Sequence, residues 1–122
     1  MTVLIPLALA GLMGAAGIAL AAASAHAAPG AGLDSAASML LFHAVAVLGG
    51  VALMQQGVLN RPLMLLVLAA WIVGATLFSG DIALRAFSGH RLFPLAAPSG
   101  GIILIVAWLG LIAAAVTGMI SR

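Results

Sequence analysis

Few side chains in this 122-residue sequence could carry acid–base or ligand chemistry, and His43 is the most informative of them. It follows Ser35 by eight residues in an apolar stretch, which puts it ~12 Å along a helix. If that stretch crosses a bilayer, an ionisable group at this depth is a functional candidate by default. Thr76 and Ser79 are expected at a similar depth, where either hydroxyl, or a backbone carbonyl, could hydrogen-bond the ring. His43, Thr76 and Ser79 are therefore a candidate intramembrane polar site.

The sequence allows three roles for this site. A neutral, hydrogen-bonded His43 would lock the packing of helices, whereas a free ring could bind a ligand or move a proton. A His43 that faces lipid or a partner is the third alternative.

A second group of ionisable residues is expected near one membrane surface. Asp81 precedes Arg85 by four residues, the order that favours an ion pair on a helix. We expect this pair to end the third span, with the Arg85 side chain extended toward the headgroups. The candidate interfacial site consists of His26, Asp81, Arg85, His90 and Arg91.

Several classes of chemistry are excluded or unsupported. The sequence has no cysteine, which excludes disulfides, thiolate nucleophiles and iron–sulfur ligation. Axial haem ligands must approach one iron from opposite sides, but His43 is predicted ~12 Å deeper than His26. Only a symmetric His43 pair across a homodimer would avoid this difficulty. No catalytic triad motif, phosphate loop or metal-ligand spacing is present. We therefore expect no enzyme activity, no metal and no cofactor.

The composition requires a bilayer around the chain. Hydrophobic residues make up 66% of it and charged residues 5%, whereas a soluble domain carries roughly 25% charged residues. The pI of about 11.5 reflects a net charge of only +2 from scattered arginines, with no basic stripe for phosphates. The sequence thus predicts an integral membrane protein and no nucleic-acid partner.

Charge-free apolar segments predict an all-α membrane fold, a four-transmembrane-helix bundle with short connections and one domain over residues 1–122. Asp34 is expected to cap the second helix and Asn60 the third, where Pro62 fits the first turn. Residues 84–98 mix apolar and basic side chains with Gly and Pro, so we expect them to lie on the membrane surface. The predicted spans are residues 3–25, 35–55, 62–82 and 100–120.

Four spans place both termini on one side of the membrane. We call the side with the first and third connections, residues 26–34 and 84–98, face X, and the opposite side face Y. Arg85 and Arg91 fall on face X, and Arg61 and Arg122 on face Y. The positive-inside rule is therefore tied, and it predicts no orientation.

Small residues recur at four-residue spacing on the fourth span, at Gly110, Ala114 and Gly118. Such stripes let helices approach closely within a bundle or across an oligomer. Trp71 and Trp108 fall near the middle of their spans, so we expect them to pack against helices, lipid or a partner.

These motifs together resemble a known family. They are Ser24-Ala25-His26-Ala27, Phe42-His43-Ala44-Val45-Ala46, Gly74-Ala75-Thr76-Leu77-Phe78-Ser79-Gly80, and Ala97-Pro98-Ser99-Gly100-Gly101 before a Trp-containing last span. In this order and spacing the chain resembles the small bacterial membrane proteins of the YgdD/YwdK family, catalogued as domain of unknown function 423. The resemblance implies four spans and no assigned activity. Asp81 departs from the small polar residue expected at its position, and the third connection is unusually rich in arginine.

The expected function follows from these features. We predict a non-catalytic multi-pass protein of the bacterial inner membrane that serves as an accessory or stabilising subunit, or an assembly factor, of a larger membrane complex. Its expected partners are membrane lipids and other membrane protein subunits. One alternative is a binding or transport module for a small lipophilic ligand, a quinone or a lipid, near His43. The other is a stand-alone homo-oligomer.

Overall fold

A computed structural model describes residues 1–121, which fold into four α-helices without a strand in that range. The helices are α1 (Leu4–His26), α2 (Leu33–Gln55), α3 (Arg61–Ser88) and α4 (Ala96–Ile120). Each is long and apolar enough to cross a membrane. The predicted all-α four-helix membrane fold is confirmed.

The residue predicted to cap the start of the helix is correct for α3 and wrong for α2. The Asn60 side chain accepts a hydrogen bond from the Leu63 amide at 3.1 Å, and Pro62 lies in the first turn of α3. In contrast, Asp34 does not cap α2, because the helix already starts at Leu33 after Gly32, whose φ is +81°. Asp34 instead lies in the first turn, where its charge complements the helix dipole.

The third helix is longer than the predicted span 62–82. It continues to Ser88, because no helix-breaking residue intervenes before Gly89, which ends the helix with a φ of +75°. The expected surface segment 84–98 is also too long, since α4 begins at Ala96 and takes Pro98 into its first turn. Proline is tolerated there because the amide it lacks has no partner within the helix. The true connection is residues 89–95.

The helices pack in chain order, α1 on α2, α2 on α3 and α3 on α4. α3 also touches α1 along a short stretch, so it is the helix that contacts all others. Within residues 1–121 the backbone of α4 approaches neither α1 nor α2. Among the largest fully buried side chains are Trp71, Leu68 and Met64, all on α3.

Glycines allow the closest approach of α3 and α4. A Cβ placed on Gly100 would lie 2.6 Å from the Gly74 carbonyl oxygen, and one on Gly74 would lie 2.9 Å from the Leu104 side chain. Real Cβ atoms do not come this near to backbone, so the two helices can adopt this distance only with glycine at Gly100. Inside a bilayer the hydrophobic effect does not drive helices together, so the dispersion contacts of this close packing stabilise the pair of helices instead.

Candidate functional site

His43 lies in the interior, on α2, with 2% of its surface exposed. Its Nε2 is 3.1 Å from the indole Nε1 of Trp108 on α4. Because an indole nitrogen can only donate, Nε2 must be the acceptor and Nδ1 must carry the proton of a neutral ring. Nδ1 then donates to the Met39 carbonyl at 2.8 Å. Both ring nitrogens are therefore bonded within the chain.

Aromatic rings surround this hydrogen bond. The ring centroid of Trp108 lies 4.6 Å from that of Trp71 and 5.7 Å from that of Phe42. The Nε1 of Trp71 is buried and has no hydrogen-bond partner among residues 1–121. Two indoles in tilted contact, with planes inclined by 47°, and a histidine thus join α2, α3 and α4, even though α2 and α4 have no backbone contact.

Thr76 and Ser79 lie elsewhere. The Ser79 hydroxyl donates to the Ala36 carbonyl of α2 at 2.7 Å, and the Thr76 hydroxyl donates to the Ile72 carbonyl of its own helix at 2.7 Å. Both residues line a groove of about 490 Å³ between α1 and α3 that His43 does not line. The structure therefore does not bring the three residues of the predicted intramembrane site into one pocket. Of the bonds expected for His43, the one to a backbone carbonyl is the one that forms.

Sequence reasoning missed the role of Trp108, although a signal was available. α2 and α4 both start at face X, and His43 lies ten residues after Leu33 while Trp108 lies twelve residues after Ala96. At 1.5 Å per residue the two side chains fall within ~3 Å of the same depth. An indole N–H inside a membrane bundle usually finds an acceptor, and His43 is the side-chain acceptor at the depth of Trp108.

The residues of the predicted interfacial site do not come together either. Asp81 is buried, with 1% of its surface exposed, and its Oδ1 accepts a hydrogen bond from the Leu92 amide at 3.0 Å. The expected Asp81–Arg85 ion pair is wrong, because this carboxylate turns inward under the connection while Arg85 is exposed. His26, at the end of α1, and His90 and Arg91, in the α3–α4 connection, are exposed as well.

The small residues of α4 pack inside the chain. A Cβ on Gly118 would lie 2.6 Å from the Val58 carbonyl oxygen, and one on Gly110 would lie 3.1 Å from the Val67 side chain. Between them Ala114 is fully buried, and its carbonyl accepts a hydrogen bond from the Asn60 amide at 3.1 Å. The sequence allowed this stripe to pack either within the bundle or across an oligomer, and the structure places it within the bundle.

On face Y, Arg61 links two helix ends. Its guanidinium donates to the Gln55 side-chain oxygen at 3.2 Å and to the Thr2 hydroxyl at 3.0 Å. Arg122, the other cation predicted on this face, lies outside the described residues. Within residues 1–121 no three His, Asp or Glu side chains gather as a metal site would require.

Four apolar helices with an internally bonded polar core define an integral, multi-pass membrane protein of the α-helical bundle class. The comparisons with known proteins agree. Residues 13–101 match the family described as protein of unknown function DUF423, and the chain belongs to this family. The family resemblance inferred from the motifs is thereby confirmed.

A relative with a curated name is similar over part of the chain. It is a UPF0382 membrane protein of Haemophilus influenzae, 28% identical over 79 residues, which are 65% of this chain. The match spans 61% of that relative's length. No solved structure matches the chain. A bacterial membrane relative and four helical spans fit the inner-membrane location expected from the sequence.

Proposed function

We propose that this protein is non-catalytic and acts through contacts with other membrane proteins, as an accessory or stabilising subunit or an assembly factor of a larger complex. The proposal rests on the observation that the polar side chains inside the spans form hydrogen bonds within the chain. The side chains of His43, Thr76 and Ser79 all have partners within the chain. Acid–base or nucleophilic catalysis needs a group free to exchange a proton or to attack, in reach of a substrate.

The exposed surfaces of the helices differ in a way that supports a partner on α1. The exposed face of α4 presents large aliphatic side chains, as lipid-facing helices do: Ile102, Ile105, Val106, Leu109 and Ile112. α1 has only three buried residues. Its exposed surface also carries large side chains, those of Leu4, Ile5, Leu12 and Ile18, but small residues lie between them, among them Ala8, Gly11, Ala15 and Ala22. A Cβ on Gly11 would meet nothing within 4 Å. Another helix could therefore approach α1 closely.

The test is to extract the tagged protein from its native membrane in a mild detergent and to measure particle mass and co-purifying polypeptides together. The proposal expects a stoichiometric second polypeptide in the particle. A particle that holds a single copy of this chain and no other polypeptide would contradict it. A particle that holds several copies and nothing else would favour the stand-alone homo-oligomer instead.

A second candidate function rests on the groove between α1 and α3. Its volume of about 490 Å³ falls within the ~300–1,000 Å³ range of ligand pockets, and nearly all of its lining is apolar. A lipophilic ligand such as a quinone or a lipid tail would fit there, in a groove that His43 itself does not line. Ala16→Phe fills the groove, and Ala15→Phe, whose side chain is exposed outside it, is the control. If the groove binds a ligand, extraction of lipids and quinones with organic solvent recovers it from the control and not from Ala16→Phe.

A further inference from the structure

The end of α3 and the connection to α4 form an apolar and basic surface on face X, here called the α3–α4 patch. Two of its large side chains are almost half exposed, Leu92 and Phe93 at 47%, and two are more exposed, Phe87 at 59% and Leu95 at 64%. Arg85, two residues before Phe87, and Arg91, directly before Leu92, are exposed too. The patch consists of Arg85, Phe87, Arg91, Leu92, Phe93 and Leu95.

The charge of the patch is positive and has no internal counter-ion. Among residues 1–121, neither guanidinium forms an ion pair or a hydrogen bond with another side chain. The nearby carboxylate of Asp81 is buried beneath the connection and accepts from the Leu92 amide. The other acid on face X, Asp34, lies in the first turn of α2, where the helix dipole engages its charge.

The connection begins and ends with left-handed backbone. Gly89 and Leu95, its first and last residues, have φ of +75° and +65°. Leu95 is the one non-glycine residue with positive φ among those described, and this conformation is costly for a residue with a Cβ. A costly conformation that holds an apolar side chain out from the protein is a candidate for function.

The length of α3 places the patch at the depth of the lipid headgroups. α3 has 28 residues, ~42 Å, whereas α1 and α2 have 23, ~35 Å, and the hydrocarbon core is ~30 Å thick. The Ser79 hydroxyl bonds the Ala36 carbonyl near the start of α2, so the residues of α3 after Ile82 extend ~9 Å beyond the start of α2 on face X, toward the headgroups. Apolar side chains at that level enter the boundary of the acyl chains while cationic ones meet phosphates.

We propose that the α3–α4 patch binds the headgroups of anionic phospholipids in the leaflet at face X, with Arg85 and Arg91 on the phosphates and Phe87, Phe93 and Leu95 in the acyl boundary. The proposal is independent of the accessory role and would hold for a stand-alone protein. It also gives a physical reason for Arg85 at the end of α3 and Arg91 in the connection.

The experiment titrates detergent-solubilised protein with short-chain phosphatidylglycerol and, separately, with phosphatidylcholine of the same acyl chains, and follows the thermal unfolding midpoint. A ligand that binds the folded state raises this midpoint, and at a given concentration a tighter ligand raises it more, so the titration yields the affinity. We expect the wild type to prefer phosphatidylglycerol. The double variant Arg85→Gln/Arg91→Gln should bind it roughly 30-fold more weakly, since each interfacial arginine contributes about a fivefold factor.

Arg61→Gln is the control for the single variants, because it removes one arginine charge on face Y, where the guanidinium bonds Gln55 and Thr2, and it should keep the preference. The single variants Arg85→Gln and Arg91→Gln should each lose about a fivefold factor, and they test the proposal should the double variant not fold. Retention of the preference in the double variant, or its equal loss in Arg61→Gln, would overturn the proposal. So would inorganic phosphate raising the midpoint as much as phosphatidylglycerol, since the site would then bind a soluble phosphate.

Discussion

Trp108 on α4 donates its indole N–H to the Nε2 of His43 on α2 across 3.1 Å, and this bond joins two helices that have no backbone contact. The bond fixes the tautomer of the histidine, because its other nitrogen must then donate to the Met39 carbonyl. The ionisable group in the middle of the bundle is thus a crosslink between helices.

The first prediction concerns this crosslink. His43→Leu leaves the Trp108 donor without its acceptor, and Trp108→Phe leaves Nε2 without its donor. A double-mutant cycle on unfolding in detergent should give a coupling energy of ~1 kcal/mol, as for hydrogen bonds between membrane helices. Additive effects of the two substitutions would show that the bond contributes nothing to the bundle.

The second prediction concerns Gly118. Gly118→Ala should destabilise the fold by ~2 kcal/mol or more, because the new methyl group would meet the Val58 carbonyl, a backbone atom with little freedom to move. Gly11→Ala is the matched control on α1, where the added methyl group meets nothing and alanine favours the helix by ~1 kcal/mol. Thermal unfolding in one detergent measures both. Equal effects of the two substitutions would contradict the packing described for α4.

A third prediction tests the strain at Leu95. Leu95→Gly should stabilise the protein in detergent by ~1 kcal/mol, because glycine adopts a φ of +65° without steric cost. Leu109→Gly, on the exposed face in the middle of α4, should destabilise it by a similar ~1 kcal/mol. The same replacement is thus expected to change the free energy of unfolding in opposite directions at the two sites. A loss of stability at Leu95 would mean that its side chain contributes more than its conformation costs.

The fourth prediction concerns the buried carboxylate of Asp81. Asp81→Ala removes the acceptor of the Leu92 amide and should cost ~1–3 kcal/mol, whereas Asp81→Asn keeps an oxygen that can accept the bond and should cost less. Hydrogen exchange of the Leu92 amide reports the bond directly. We expect fast exchange in the alanine variant and slow exchange in the asparagine variant. Fast exchange in both would show that the charge, and not the acceptor geometry, holds the connection.

The sequence predicted the helices better than the bonds between them. Length and apolarity fix a membrane span, so four helices followed from composition alone. The end of α3 was misplaced because residues 84–88 contain no helix breaker. The start of α4 was misplaced because Pro98 was taken to lie before the helix, although the first turn of a helix accepts proline. Local signals such as Asn60 and Pro62 were sufficient where they act within one turn.

The site was harder to predict because its geometry depends on which helices are neighbours. Residue counting gives the depth of His43, Thr76 and Ser79, but not the direction in which each side chain points around its helix. The hydroxyls of Thr76 and Ser79 turn to backbone carbonyls, and His43 turns to Trp108. Similarly, Asp81 and Arg85 have the spacing of an ion pair, yet burial of the acid beneath the connection separates them.

The central claim is that the polar interior stabilises the bundle while the exposed face of α1 binds a partner. Its most direct test compares three variants in one co-purification. Gly11→Leu fills the open face of α1, and Ala113→Leu adds the same side chain to the exposed face of α4. His43→Leu removes the interior crosslink. The account predicts that Gly11→Leu alone loses the co-purifying polypeptide. Retention of that polypeptide by Gly11→Leu, with loss in a His43→Leu variant that remains folded, would contradict it.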